Sequence, residues 1–578
     1  MIALQLTGQQ VLPGTFSLNE SLIESLASQN AGDEEYENLL NELDVLRKNP
    51  VNLNSCKRGD LEKLPFLSDF QINSFLEYRK EKGKLLSVYE LQAIYGFSDD
   101  VIQMILPFVI VPDESVSGLV ESSKFLRHEA SLRMQRTFEK SKGYSVPDPV
   151  EDRMRYPGSP CLINSRYDIS YGSRLKAGVT VEKDPGEELF RGTSRGFDFI
   201  SAYMNVNNAG AFKAFLIGDY RLAFGQGLTL WSGTAPGKSS MPLGIVKRQD
   251  AIKPYTSNDE NNFFRGVAAS AVIGKFTLTS FFSSKTRDAN ITDTLESDHV
   301  YFSSFQESGY HRTSSEIADE KTVRETLYGA NLNFRTNILK LGITVANYRL
   351  DKYLEAGDAL RNVHEFSGNS LFNLGIDYSL VFKNIQFFGE TSYGNGHLGT
   401  LNGMLINTGK YASLSLLYRY YDPGFFSMHS SAFSEGSDDY NEEGLYAGIV
   451  VHPVRHLKIS AYADFYRFPW LKFQQSKPAS GNDFLIQADY RAGENTEMYL
   501  RLKFEEDPRD YIPDSSIIPE IAEVERSGIR YNIRYRISER VFMQNRFEMV
   551  LSDDSKGFLL YHDVSYQLDK IPAEFDFR

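Results

Sequence analysis

The chain has 578 residues, a formal net charge of −14 and 13% aromatic residues, with 33 tyrosines and 40 phenylalanines. A chain of this length is too long for one ordinary hydrophobic core and would form several domains, unless a single large barrel takes up most of the chain. The acidic balance argues against a protein that coats nucleic acid, because phosphate binding needs clustered Lys and Arg, but it allows a local basic path. The two cysteines, Cys56 and Cys161, lie one in each half of the chain, so their spacing indicates no disulfide framework or metal cluster, and we expect unpaired, buried thiols.

Residues 1–48 are interpreted as a signal-peptide remnant followed by an acidic helical lead-in. The start "MIALQLTGQQ" has a short apolar stretch and no basic region before it, which suggests that the beginning of the signal lies outside this chain. An ordinary cytosolic start is the alternative. Residues 1–50 carry eight acidic side chains against Arg47 and Lys48, so this part is expected to be a solvated tail.

Residues 49–112 have apolar side chains at helical spacing, which predicts four short helices. Ser87 and Glu90 in "SVYE" form a capping-box pattern at the start of the third helix. The apolar positions of the four helices are Leu61 and Leu64, then Ile72, Phe75 and Leu76, then Val88, Leu91 and Ile94, then Val101, Ile102 and Ile105.

The stretches "VNLN", "LEKLPFL", "FLEYRKEKGKLLSVYEL" and "IYGFSDDVIQMILPFVIV" resemble, in order and spacing, the paired helix-hairpin-helix module of the ComEA competence family. The resemblance implies DNA binding without sequence preference, through backbone amides of glycine-rich hairpins that point at phosphates. This sequence departs from the pattern, because the hairpin from Leu64 to Asp69 has no glycine and Gly96 is followed by Asp99 and Asp100. A scaffold that contacts protein or plugs the mouth of a barrel is therefore the alternative function.

Candidate contacts of this module to DNA or to a protein partner are its basic side chains and the second hairpin. The run "YRKEKGK" supplies most of them, although such a run is more often a solvated helix face. The candidates are Lys57, Arg58, Arg79, Lys80, Lys82, Lys84, Gly96 and Ser98.

After a polar linker at 113–123, the spacing of apolar residues changes from the helical repeat to every second position. This pattern predicts strands over residues 124–578. In "GIRYNIRYRI", for example, Ile529 to Ile537 alternate with polar side chains, and "EMYLRLKFE" and "LYGANLNFR" repeat the pattern. The polar face of such strands is expected to line the lumen of a barrel. The candidate lumen-facing residues are Arg530, Arg534, Arg536, Arg501 and Lys503.

Short and long connections alternate along this part, as they do in outer-membrane barrels, and about twenty or more strands near ten residues long are expected. The segment between Leu222 and Asn262 is long for a hairpin loop and is a candidate for folding into the lumen. The whole arrangement resembles barrel proteins, mostly from Bacteroidota, that carry an N-terminal ComEA-like module. A soluble stack of β-sandwiches or a secreted adhesin is the alternative. The end "IPAEFDFR", with Arg578 after Phe577, suggests a barrel cut before its last strands.

No motif for catalysis or for a cofactor stands out. "APGKSS" lacks the first glycine of a phosphate loop, and the two histidines of "HPVRH", His452 and His456, lie between strands rather than on a helix. The paired carboxylates Asp438–Asp439, Glu442–Glu443 and Glu505–Glu506 are expected to hydrate a surface or to bind calcium loosely. We therefore expect neither an enzyme nor a bound cofactor.

The sequence thus predicts a mainly β protein with a small all-α N-terminal domain: a large antiparallel transmembrane barrel preceded by a helix-hairpin-helix module. Its expected location is the outer membrane of a Gram-negative bacterium, with the module in the periplasm. The expected function is macromolecule passage or envelope assembly, and the more specific hypothesis is DNA uptake. The alternative is a non-transporting scaffold whose helical module docks a protein partner. Expected partners are outer-membrane lipid, DNA, and a periplasmic or outer-membrane protein, with no small-molecule substrate identified.

Overall fold

The computed structural model describes most of the chain after residue 49, with gaps. The described residues are 3–5, 43, 46–47, 50–64, 67–97, 99–111, 126–145, 155–172, 174–189, 196–233, 237–292, 299–409, 411–493, 495–513, 518–538, 540–553, 555–568 and 574–578. Most of the acidic lead-in, the whole 113–123 linker and Ser98 lie outside them.

Helices form at all four predicted places of the N-terminal module. They are α1 (Arg58–Leu61), α2 (Asp69–Lys82), a 3-10 helix (Val88–Ala93), and α3 (Asp99–Ile105), which a 3-10 turn (Leu106–Phe108) follows. The predicted box caps the third of them, since Ser87 accepts from Tyr89 N and Glu90 accepts from Ser87 N. Elsewhere there are α4 (Ser314–Asp319) and 3-10 turns at Lys142–Tyr144 and Leu360–His364.

The apolar positions that predicted the helices form the core of this module. Ile72, Phe75 and Leu91 are at most 1% exposed. A short parallel pair, β2 (Val51–Asn52) with β3 (Val109–Ile110), joins the two ends of the module. The Arg79 guanidinium donates to the carbonyls of residues 53 and 56 at 2.7 and 2.6 Å and so fixes the first turn to α2. Cys56 is buried as expected, whereas Cys161 is only half-buried because it begins a strand.

Antiparallel strands make up most of the remaining chain. After β1 (Ala3–Gln5) they are β4 (Leu126–Arg136), β5 (Cys161–Tyr171), β6 (Leu175–Lys183), β7 (Phe199–Ala209), β8 (Phe212–Ala223), β9 (Ala251–Pro254), β10 (Phe264–Ile273), β11 (Phe276–Arg287), β12 (Ala289–Thr292), β13 (Tyr301–Phe305), β14 (Val323–Arg335), β15 (Leu339–Leu354), β16 (Gly368–Phe382), β17 (Ile385–Gly394), β18 (His397–Asn407), β19 (Ala412–Tyr421), β20 (Glu442–Val454), β21 (Leu457–Phe468), β22 (Ala479–Arg491), β23 (Thr496–Tyr511), β24 (Glu520–Ser538), β25 (Val541–Ser552), β26 (Ser555–Gln567) and β27 (Glu574–Phe577).

These strands form one 25-stranded sheet, in which most strands pair with their sequence neighbours. From β14 to β27 every successive pair is antiparallel, and β8 pairs directly with β10 across the long segment between them. Among the described residues, β4 pairs only with β5, and β27 pairs with β26 and β1. The sheet is therefore large, mainly antiparallel and open at β4, and closure into a barrel stays a prediction.

The two faces of the sheet differ in chemistry. Along β16, Phe372 and Ile376 are 45% and 56% exposed, while the alternating Asn373 and Asp377 are 0% and 4% exposed. We call the second side the inner face, because it contacts the segments described below. No helix in the described part of the chain is long and apolar enough to cross a membrane.

Candidate functional site

Residues 224–233 and 237–250, between β8 and β9, pack against the inner face, and we call them the first plug segment. Every residue from Phe224 to Ser232 is buried. This position agrees with the prediction from the length of the connection. The segment therefore covers part of the inner face of the sheet.

Glu390 of β17 holds the first plug segment through its carboxylate. One oxygen accepts from the amides of Gln226 and Leu228 at 2.5 and 3.1 Å, and the other accepts from Thr229 N and Oγ1 at 2.9 and 2.5 Å. The side chain is 2% exposed. Four donors satisfy the oxygens of this buried carboxyl group, so the plug supplies its hydrogen-bond partners.

Two glycines allow this close approach. Gly225 and Gly227 have φ of +62° and +94°, where a residue with a Cβ is strained. An added Cβ would meet the Glu390 carboxylate at the first position and the backbone of Ser431 at the second. The sequence "FGQG" is therefore explained by the turn that brings three amides to one carboxylate.

Residues 422–441, between β19 and β20, form the second plug segment and bind the first. Ser427 Oγ donates to Thr229 O at 2.7 Å, and the amides of Trp231 and Ser431 donate to carbonyls of the other segment at 2.8 Å each. Apolar side chains of both segments also share one buried cluster, with Leu228 and Ile245 from the first and Phe425 and Phe433 from the second. The two segments thus form one plug.

Buried ion pairs attach the plug to the sheet. Arg419 of β19 is fully buried and binds Asp464 through two nitrogens at 2.8 and 3.0 Å and Glu442 at 2.5 Å. Lys238 of the first plug segment contacts the same Asp464 at 2.9 Å and also pairs with Glu435 of the second. Each charge in this network has an opposite charge beside it, as burial requires.

Two carboxylates that the sequence placed on a hydrated surface are instead buried. Glu442 is 0% exposed and Asp439 is 6% exposed. Asp439 accepts from Ala432 N at 2.6 Å, within the second plug segment. The expectation was wrong for these two, because the connection that carries them turns inward, where carboxylates serve as acceptors and counterions. Glu443, next in sequence, does point outward and pairs with Arg467.

A second anchor joins the plug to β14. His429 of the second plug segment contacts Glu325 at 3.0 Å, and Glu325 also pairs with Arg287 of β11 at 3.1 Å. All three side chains are buried. Opposite sides of the plug are therefore tied to different strands of the sheet.

The N-terminal module docks against the plug and against short turns of the sheet. Arg248 of the first plug segment donates to the carbonyls of Glu62 and Leu64 at 3.0 and 2.5 Å. Arg335, at the end of β14, pairs with the Glu62 carboxylate at 2.8 Å. Tyr95 Oη donates to Asn407 O at 3.0 Å, at the end of β18. Both hairpins of the module thus face the sheet.

The candidate DNA contacts do not converge on one surface. Arg58 pairs with Glu62, Arg79 is bound to backbone carbonyls inside the module, and Gly96 lies against Phe70 and Asn407. The remaining described candidates are exposed lysines: Lys57, Lys80, Lys82 and Lys84. Among the described candidates these four lysines are exposed charged side chains, and their role stays a prediction.

The candidate lumen-facing residues lie on the polar face of β23 and β24. Arg530 binds Glu548 through two nitrogens at 2.8 and 2.9 Å, and Arg534 donates to Gln544 at 3.0 Å. The remaining three, Arg501, Lys503 and Arg536, contact Gln487, Glu505 and the ring of Phe542. Asn532, on the same face as Arg530, is 3% exposed, whereas Tyr531 between them is 38% exposed.

A cluster of titratable side chains in the long connections was not predicted. His311 contacts Asp288 at 2.9 Å through Nε2 and Asp198 through Nδ1. Glu187 and Glu260 complete two groups around the same imidazole, each with three ligand atoms within 4.8 Å of one another. The members come from four separate connections between strands, so no spacing in the sequence signals them.

Comparison with known proteins gives the following. No protein-family model matches the chain, and no curated protein matches it. Similar solved structures include OpdQ from Pseudomonas aeruginosa, with 10% identity, 72% of this chain and 92% of that chain covered and a TM-score of 0.28. OccAB4 from Acinetobacter baumannii has 9% identity, 78% and 96% coverage and a TM-score of 0.29. The anion-selective porin from Comamonas acidovorans has 12% identity, 65% and 89% coverage and a TM-score of 0.26. Values this low carry no argument about substrate or function.

Replacing Glu390 by glutamine should loosen the plug. The glutamine side chain has one acceptor oxygen, and its NH₂ group would face backbone donors. We therefore expect the free energy of plug docking to become less favourable by about 2–4 kcal/mol. The first plug segment contains Lys238, Lys247 and Arg248, and trypsin should therefore cut the Glu390→Gln protein faster in this segment. The control is Glu443→Gln, on the outer side of the sheet. Equal cleavage rates in both variants would contradict the anchoring role.

The His311 cluster should loosen as the pH rises. Burial, with Asp198 nearby, raises the pKa of Glu187 to about 7, and burial raises the pKa of Glu260 to about 9. Burial opposes the charge on His311, but hydrogen bonds to Asp198 and Asp288 outweigh it and raise its pKa to about 11. All three groups bind protons more tightly in the folded state, so their stabilisation is complete at low pH and is lost as the pH rises through these values. Other charged groups that face the cluster are Asp184, Arg312 and Lys321.

Hydrogen exchange measures this effect. After correction for the intrinsic pH dependence of exchange, protection of residues 306–322 should fall about tenfold or more between about pH 6 and pH 9. His311→Gln should reduce the dependence, and His128→Gln, an exposed histidine of β4, should leave it unchanged. Protection that rises with pH in the unaltered protein would show that the sign is wrong.

Proposed function

We propose that the chain forms an outer-membrane β-barrel of a Gram-negative bacterium, with a pore closed by the two plug segments and a periplasmic module docked over its mouth. In this proposal the protein acts in the passage of a macromolecule or in envelope assembly, without enzymatic activity. The module is proposed to be a degenerate ComEA-like helix-hairpin-helix module, and the whole protein to be of the Bacteroidota type, as the sequence resemblance implies.

The observation that carries the proposal is that apolar side chains lie on the outer face of the sheet and polar ones on its inner face. This is the reverse of a soluble protein. Large apolar side chains such as Ile376, Leu445 and Phe465 are more than half exposed on the outer face of different strands. Buried Asn, Asp, Glu and Arg side chains lie on the inner face. A soluble sheet would bury the apolar face, and lipid is the solvent that accepts this one.

Membrane insertion also explains the need for closure. In lipid, backbone groups have no water to bind, so an unpaired edge at β4 would be costly. Strand directions alternate, which makes β27 and β4 parallel, and one strand between them restores antiparallel pairing. β1 pairs with β27 in that direction through Ala3–Gln5. The short connections, with the docked module, are proposed to face the periplasm and the long ones the exterior.

Docking of the module favours a capping role over DNA binding. Both hairpins face the sheet, and Glu62 and Leu64 present carbonyls to an arginine. DNA uptake would require the exposed lysines alone to retain DNA. The scaffold function is the second candidate, and the observation that favours it is the plug, which fills the inner space with hydrogen-bonded segments.

A charge on the outer face tests the lipid exposure. Ile376 lies in the middle of β16, and Ile376→Arg should cost about 2–4 kcal/mol near the bilayer midplane and reduce the heat-modifiable, membrane-inserted form. Leu360→Arg, at a residue 66% exposed in a connecting 3-10 turn, is the control and should insert normally. A sheet that lies in water would accept both substitutions equally, and the protein would then migrate alike with and without heating.

DNA retention by the detergent-purified full chain distinguishes DNA uptake from the capping and scaffold functions. We expect no retention on duplex DNA even at about 50 mM salt, since the hairpins are occupied and the exposed basic charges are few. The triple change of Lys80, Lys82 and Lys84 to glutamine provides the comparison. Retention that falls steeply with salt and disappears in the triple variant would establish DNA binding and restore uptake as the function.

A further inference from the structure

The His311 cluster contains donor atoms of the kinds that bind a transition metal. An imidazole nitrogen of His311 and carboxylate oxygens of Glu260 and Asp288 lie within 4.8 Å of one another. The nitrogen that contacts Asp288 is Nε2, at 2.9 Å. One imidazole nitrogen with carboxylate oxygens is a donor set that suits Zn²⁺. Ca²⁺ and Mg²⁺ prefer sites made of oxygen ligands alone, so the imidazole selects against them.

The imidazole of His311 is held in the orientation that a metal ligand needs. Its Nδ1 contacts the Asp198 carboxylate, and its Nε2 points to Asp288. A histidine that binds a metal through one nitrogen usually donates the hydrogen of the other nitrogen to a carboxylate, which fixes the tautomer and the direction of the ring. Glu187 also fixes the backbone at this position, because its carboxylate accepts from His311 N at 2.9 Å.

Glu260 is the member of the cluster that lacks a hydrogen-bond donor. Glu187 and Asp288 also accept from the amides of Asp184 and Lys321, at 2.9 and 2.6 Å. Among the residues that the structure describes, no donor lies within hydrogen-bond distance of the Glu260 carboxylate. Burial raises the pKa of this group to about 9. A carboxyl group removed from water needs a donor, a proton or a cation, and a metal ion beside His311 would supply the cation.

The cluster also carries more negative than positive charge. One imidazole is surrounded by four carboxyl groups, those of Glu187, Asp198, Glu260 and Asp288. Two cationic side chains beside the cluster, Arg312 and Lys321, pair with other carboxylates at 3.3 and 2.6 Å. Lys183, near Glu187, donates to three backbone carbonyls. In the metal-free protein, protons balance part of the charge, as the pH dependence described above requires, and a divalent ion can take their place.

We propose that His311, Glu260 and Asp288 bind one divalent transition-metal ion of the Zn²⁺ type, with Asp198 as the positioning residue of the imidazole. The three ligands come from three connections, β9 to β10, β11 to β12 and β13 to α4. The ion therefore cross-links connections that are far apart in the sequence. This inference goes beyond the proposed function and does not depend on it, because the ligands lie outside the long strands of the sheet.

Zinc binding to the detergent-purified full chain, first treated with EDTA, tests the proposal. At pH 8, calorimetry should show saturable binding of Zn²⁺ with a stoichiometry near one, and Ca²⁺ or Mg²⁺ should not compete. X-ray absorption at the zinc edge should show nitrogen and oxygen ligands that include an imidazole. Absence of saturable Zn²⁺ binding, or equal binding of Ca²⁺, overturns the proposal.

Single substitutions show which groups hold the ion. His311→Gln should abolish the site, and Glu260→Gln should weaken Zn²⁺ binding about tenfold or more, because an amide oxygen is an uncharged ligand. Asp198→Asn should weaken binding about tenfold to a hundredfold and keep the imidazole signal, as expected for a positioning residue. Glu355→Gln, an exposed carboxylate in the connection after β15, is the matched control and should bind Zn²⁺ normally. Unchanged affinity in the His311 and Glu260 variants would show that the ion binds elsewhere.

Hydrogen exchange measures the cross-link without any substitution. With free Zn²⁺ at about ten times its Kd, protection of residues 306–322 in the unaltered protein should rise about tenfold at pH 8, and EDTA should reverse the rise. Equal protection with and without Zn²⁺ would overturn the cross-link. Heat-modifiable migration of the same samples reports on the barrel, so failure of the metal site and failure of the proposed function are distinguishable.

Discussion

Backbone pairing between successive antiparallel strands is the constraint on which the rest of the structure depends. Because each strand from β14 to β27 pairs with its sequence neighbour, side chains that alternate along one strand continue as rows across the sheet. A slip of one residue would turn a whole row to the other side. The rows of Ile376 and Asp377 therefore fix the register as much as the turns do, since neither side chain suits the environment of the other.

Polar rows on an inner face create a second requirement, because charges removed from water need partners. Glu390 accepts from backbone amides of the first plug segment, and Asp464 pairs with Arg419 and Lys238. Long connections that turn inward supply donors and counterions that the strands alone lack. The plug thus complements the chemistry of the wall, and removing it would take away the amide donors of Glu390.

The sequence predicted those parts of the structure that depend on local spacing. The alternation of apolar and polar residues identified the two faces of β14, β23 and β24. Apolar residues at helical spacing identified the core of the N-terminal module. Contacts between segments that are far apart in the sequence leave no such pattern in it. Glu442 follows a polar stretch typical of a hydrated loop, yet it is buried beside Arg419. The His311 cluster assembles from four connections whose proximity only the folded sheet determines.

The turn after α1 binds a cationic side chain rather than an anion. A phosphate site uses amides that point outward, which requires glycine where the chain approaches the anion. Here the carbonyls of Glu62 and Leu64 accept from the guanidinium of Arg248. Since Arg248 belongs to the first plug segment, lifting the module would remove two hydrogen-bond acceptors from a plug residue. The free energies of module docking and plug docking are therefore coupled.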